Sequence, residues 1–178
     1  MSRTARPFEF STLSKWLHWG SLFLVFGLVV AGTIMVGLED GDPMKMTVYR
    51  THGTIGLLIV LATLARIVIR LRRPQPIPEG MTEKWNIWLH GIIQWAIYAV
   101  LLGIGISGMV TLALNNMTAF TADPGALDRT VPTIQFHFLM TRLYIALVIL
   151  HVGGVLRHQF TRSNVLRRMG LKLPIGKA

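Results

Sequence analysis

The chain has 178 residues, of which 52% are hydrophobic and 15% charged, against roughly 25% charged in an average soluble domain. It contains no cysteine, which excludes disulfides, iron–sulfur clusters, cysteine-linked cofactors and zinc–thiolate sites. A formal charge of +10 in a soluble protein would point to nucleic acid, but here the basic residues cluster in some hydrophilic segments and not in others, which is a membrane topology pattern.

The reading is an all-α membrane protein: one domain, 1–178, built as a bundle of four transmembrane helices. A crossing needs about 20 apolar residues. The first span covers about 14–38. Its apolar run begins only around Trp16, is too long for the core of a cleaved signal and has no small-residue cleavage site after it, so it is expected to remain. The acidic turn Glu39-Asp40-Gly41-Asp42-Pro43 ends it. The second span covers about 46–71, but its uncharged stretch from Thr51 to Ala65 is short, and Arg66 and Arg70 intrude before Arg72 and Arg73. The Pro-rich loop Pro74–Pro78 should be extended, because proline cannot continue a helix.

The third span, about 85–115, contains no Asp, Glu, Lys or Arg. It is longer than a bilayer core of about 30 Å requires, so it should tilt or project beyond the membrane. A polar loop from Asn116 to Pro132 leads to the fourth span, about 133–160, and a basic tail follows.

Charge gives the orientation. Arg3, Arg6 and Lys15 flank the first span. Arg66, Arg70, Arg72, Arg73 and Lys84 lie in or beside the second loop, and Arg157, Arg162, Arg167, Arg168, Lys172 and Lys177 belong to the tail. The other two loops hold only Lys45, Arg50 and Arg129. Basic segments stay inside, so both termini are expected in the cytoplasm.

Histidines are costly at membrane depth and mark functional sites. His137 and His151 lie fourteen residues apart in the fourth span. That is close to four helical turns, so both rings leave one face, separated by about 21 Å along the axis. His18 opens the first span on the cytoplasmic side and His52 opens the second on the outer side. Matching depths pairs His52 with His137 and His18 with His151. Such pairs are the ligand set of two bis-histidine haems stacked across a bilayer, each joining neighbouring helices. Zinc fits less well, because it needs three or four ligands at one point. Glycines near the histidines (Gly20, Gly53, Gly56, Gly153, Gly154) either admit a macrocycle or simply line helix contacts.

Arg66, fourteen residues after His52, reaches the level of the inner pair. It either binds haem propionates or snorkels to the interface. Arg142, five residues after His137, lies deeper and needs an anion, for which a propionate is the first choice. His90 has no depth-matched partner and is read as a quinone-edge or interfacial residue, and His158 as a solvated one. Trp16, Trp19, Trp85 and Trp88 form an interfacial belt.

With these residues in place, the chain resembles the bacterial cytochrome b-561 family of small four-helix dihaem membrane cytochromes. The matching elements are Leu17-His18-Trp19, His52-Gly53-Thr54-Ile55-Gly56, Arg66 and Arg70 before the Pro-rich loop, Tyr98 followed by Gly108, and His137 with His151. They extend over roughly positions 10 to 170. The resemblance implies two haem b groups on His18, His52, His137 and His151. It also implies inner-membrane electron transfer to or from quinone and, in some members, superoxide oxidation. Relatives often carry a histidine where this chain has Gln94, with His90 one turn earlier. The expected function is electron transfer between an outer-face donor, superoxide among the candidates, and the membrane quinone pool. The alternative is a haem-bearing anchor for a separate periplasmic oxidoreductase. Expected partners are membrane lipid, quinone and a periplasmic redox protein.

Overall fold

The computed structural model describes residues 10–73, 83–161 and 165–171. Arg3, Arg6, the Pro74–Pro78 loop, Arg162, Lys172 and Lys177 lie outside them. The described residues form helices and connecting turns, with no strand. The helices are α1 (Thr12–Gly37), α2 (Pro43–Arg72), α3 (Lys84–Leu114), α4 (Pro132–Thr161) and the short α5 (Val165–Arg168).

Local chemistry sets the ends. The Ser11 side chain accepts from Ser14 N–H to cap α1. Asp42 Oδ1 accepts from Met44 N–H (2.8 Å) ahead of α2, where Pro43 occupies the first turn and has no N–H to lose. At the end of α3, Asn116 takes φ 54. Its N–H reaches Ala113 O, and Met117 N–H reaches Leu112 O (2.8 Å). That is the Schellman arrangement, and asparagine tolerates its left-handed residue.

The first four helices run 26 to 31 residues, and each is long and apolar enough to cross a membrane. None contains Asp or Glu. The small core centres on Val25, Ile59 and Leu101. Many large apolar side chains instead point outward, including Phe23, Phe26, Leu139 and Ile149. In water such a surface would drive aggregation, whereas lipid is its natural solvent.

Packing follows chain order: α1 on α2, α2 on α3, α3 on α4. No Cα pair closer than 8 Å joins α4 to α1 or to α2. The backbones of α4 and the first two helices thus stay apart, and side chains such as Tyr144 of α4 reach the core between them. In the α2–α3 seam, a Cβ on Gly105 would overlap Val60 Cγ2. Val60 is buried and β-branched, so it cannot rotate away freely. Gly105→Ala should cost about 1–3 kcal/mol through overpacking. Val60→Ala in the same chain should recover much of it, read as thermal denaturation in detergent.

One end of the bundle is basic, with Lys15, Arg70, Arg72, Arg73, Lys84, Arg157, Arg167 and Arg168. At the other end the α3–α4 loop folds over the start of α2. A Cβ on Gly53 would meet Ala119 Cα at 3.2 Å, and Arg50 Nε donates to Ala122 O at 3.2 Å. Asp40 accepts from Lys45 (2.8 Å) and from Arg129, joining the two acidic-end loops. These cations hold the Asp40 carboxyl below its ordinary value of 3.8. A depressed carboxyl stabilises the fold above its unfolded value and loses that contribution as pH falls through the folded value. Asp40→Asn should therefore slightly lower the melting temperature at neutral pH, and the difference should begin to shrink as pH falls below about 3.8.

Candidate functional site: two histidine pairs

Each histidine pair crosses from α4 to one of the first two helices. His18 on α1 faces His151 on α4, with ring centroids 6.4 Å apart and planes at 63°. His52 on α2 faces His137 on α4 at 6.2 Å and 60°. A metal–imidazole bond of about 2.0 Å, plus about 1.1 Å from nitrogen to ring centre, would set two rings that share one metal about 6.2 Å apart at most. The two observed separations, 6.4 and 6.2 Å, lie close to that value. Among the described residues, no group of three or more His, Cys, Asp or Glu could hold a metal.

Surrounding residues orient the acidic-end pair. His137 Nδ1–H donates to Ile104 O (2.9 Å), with Ser107 Oγ at 3.3 Å, so Nε2 is left available for a metal. A Cβ on Gly108 would stand 3.4 Å from the His137 ring, and one on Gly32 would stand 3.5 Å from His52 Cε1. Glycine thus lets α3 and α1 approach the two rings. His52 Nδ1 is buried without a partner at full hydrogen-bond geometry, although the Leu28 carbonyl acts on it. One turn beyond His52 on the same face, a Cβ on Gly56 would meet nothing within 4 Å, and the same holds for Gly20, Gly153 and Gly154.

The basic-end pair has a cation beside it. Arg66 Nη2 lies 3.2 Å from His18 Nδ1, and its guanidinium sits over the Tyr98 ring at 5.2 Å. A guanidinium only donates, so His18 Nδ1 accepts in this arrangement. No span contains a carboxylate to pair with Arg66. Arg142 stands apart from both pairs: it is exposed, and among the described residues it forms no hydrogen bond or ion pair. The five-residue offset from His137 turns it about 140° around α4, away from the histidine face. The expected propionate contact for Arg142 has no support in this geometry.

Some contacts were not legible in the sequence. Gln94 joins His90 to Arg70: its Nε2 donates to His90 Nε2 (2.9 Å), and its Oε1 accepts from Arg70. Arg70 also covers the Trp95 ring at 5.2 Å, and Trp95 meets Tyr98 edge-on at 5.9 Å. The spacing of 66 and 70 on one helix against 94, 95 and 98 on another was the available signal, but only packing brings those faces together. His158 is half-buried and lies outside both pairs.

Comparison with known proteins agrees with this architecture. The family model described as prokaryotic cytochrome b561 matches residues 9–171. The chain is also 26% identical, over 95% of its own length and 95% of the relative's, to cytochrome b561 homolog 2 of Escherichia coli (strain K12). Four membrane-length helices and a match over nearly the whole sequence lead to one conclusion: the chain belongs to the prokaryotic cytochrome b561 family, membrane haem proteins of electron transfer.

Proposed function

We propose that the chain is an inner-membrane dihaem b-type cytochrome that passes electrons between a donor at its acidic end and the membrane quinone pool. His52 and His137 would hold one haem, and His18 and His151 the other. The observation that carries this reading is the pair of 6.2 and 6.4 Å imidazole separations between helices whose backbones stay apart. When bound, a haem supplies one-electron chemistry, and two imidazole ligands leave no open position for oxygen.

The residues around the rings suit that cofactor. His137 keeps its proton on Nδ1 through Ile104 O. Binding iron through Nε2 would require the same tautomer of His18, so its Nδ1 could no longer accept from Arg66. Arg66 is then free to pair with a propionate, the anion that the spans themselves lack. The basic end is assigned to the cytoplasm by the positive-inside rule, which places both termini there.

Quinone is the membrane-side partner. An apolar groove of about 650 Å³ runs along α3 near the basic end, lined by Trp88, Gly91, Ile92 and Trp95, with Arg70 stacked on Trp95. The donor is less constrained. Superoxide would be steered by a positive surface, but Asp40 engages both Lys45 and Arg129. Glu39, Asp42, Asp123 and Asp128 remain at that end. This charge balance favours a second reading, in which a basic periplasmic redox protein delivers the electrons and the chain is its membrane partner.

Purified protein, given a chemical reductant or superoxide, should reduce a short-chain ubiquinone analogue. Reduction by the isolated chain supports the first reading. A strict requirement for a co-purified subunit supports the second, and no haem absorbance would defeat both.

A further inference from the structure

Trp16, Trp85 and Trp88 are 74%, 57% and 71% exposed, as interfacial tryptophans are. Trp19 differs. It is half-buried, its ring meets the His18 imidazole edge-on (5.2 Å, 79°), and its Nε1–H donates to Met169 O at 3.0 Å, 150 residues away. Met169 belongs to a turn following α5, in which Gly170 takes φ +89, a conformation glycine adopts without strain.

That turn is tied at further points. Leu166 N–H donates to Gln159 Oε1 of α4 (3.1 Å), and Gln159 is buried. Phe10 N–H donates to Arg168 O (3.4 Å), and the Arg168 guanidinium covers the Phe10 ring at 5.7 Å. One set of ties leads to α1 and the other to α4. These two helices carry His18 and His151, yet their backbones do not approach closely.

We propose that Trp19 and the turn at 165–171 form a clamp for the basic-end histidine pair. Trp19 is a positioning residue that fixes the plane of the His18 ring. Its bond to Met169 holds the end of α1 at a set distance from α4 and covers the site from solvent at that end. The proposal rests on the haem reading above for its redox consequence, but not for the clamp itself. Ligand-ring orientation and burial both tune a haem potential. Water entering at this end would favour the more highly charged ferric state and lower the potential of this haem alone.

The test uses the full-length holoprotein. Trp19→Phe keeps an aromatic edge but removes the donor, and Trp19→Leu removes both. Gly170→Val strains the turn without touching Trp19 or His18. In the Phe and Val variants, amide hydrogen exchange over 165–171 should accelerate about fivefold, the equivalent of one net hydrogen bond. One of two redox components should shift to lower potential while the other stays in place. The Leu variant should in addition change the anisotropy of one ferric low-spin resonance, which follows the angle between the ligand planes.

Unchanged exchange and unchanged potentials in all three variants would overturn the proposal. Faster exchange with both potentials unmoved would overturn the positioning role. Because exchange reads the clamp without haem, a colourless parent protein would sink the haem reading and still allow the clamp to be judged.

Discussion

Replacing His137 with alanine should yield a protein with one haem instead of two. His137 supplies one of only two rings at its site, and its partner His52 has no second imidazole within reach. Changes to residues that merely orient a ligand cost about 10–100-fold in metal affinity. Deleting the ligand itself should cost more and empty that site. The other pair uses different side chains, His18 and His151, and should keep its cofactor. Haem-to-polypeptide ratio reads this directly, with about half of the parent absorbance retained. Arg142→Leu serves as the contrast. Its side chain stands away from both pairs, so both haems should remain.

Arg66→Leu should selectively weaken the haem on His18 and His151. Arg66 lies at that pair, with its guanidinium on Tyr98 and one nitrogen 3.2 Å from His18. With no span carboxylate available, the propionate is the anion it would serve. Arg66 is only half-buried, so the loss should fall short of the about 3–5 kcal/mol of a buried pair and come to roughly tenfold in affinity. Losing a nearby positive charge also favours the ferric state, so any haem retained should have a lower potential. Haem retention during detergent dilution and a redox titration would check both effects. Equal weakening of the two haems would count against the assignment of Arg66 to one site.

Much of the architecture was readable from hydropathy, because four apolar runs separated by polar turns leave little choice in a bilayer. The second run was the least clear, since Arg66 and Arg70 shorten its uncharged stretch. Yet α2 continues to Arg72. Hydropathy scores an arginine as solvent-seeking, whereas these two lay their guanidinium planes on Tyr98 and Trp95. The histidine pairing was readable because helical rise and loop charge turn sequence positions into depths. Rotation about the axis was harder to read: Arg142 has a suitable depth but the wrong azimuth. Contacts made by the fold as a whole were not readable. Gly32 and Gly108 approach the rings only because other helices are brought alongside. In sequence Trp19 is one more interfacial tryptophan, and its bond to Met169 O joins residues 150 positions apart.

The central claim is that one chain holds two irons, each between one imidazole of α4 and one of its neighbours. A reduced-minus-oxidised spectrum combined with a haem-to-polypeptide ratio on the purified protein tests it most directly. Low-spin b-type haem at two per chain is the expected result. A ratio of one, or a colourless preparation folded in its native membrane, would contradict it.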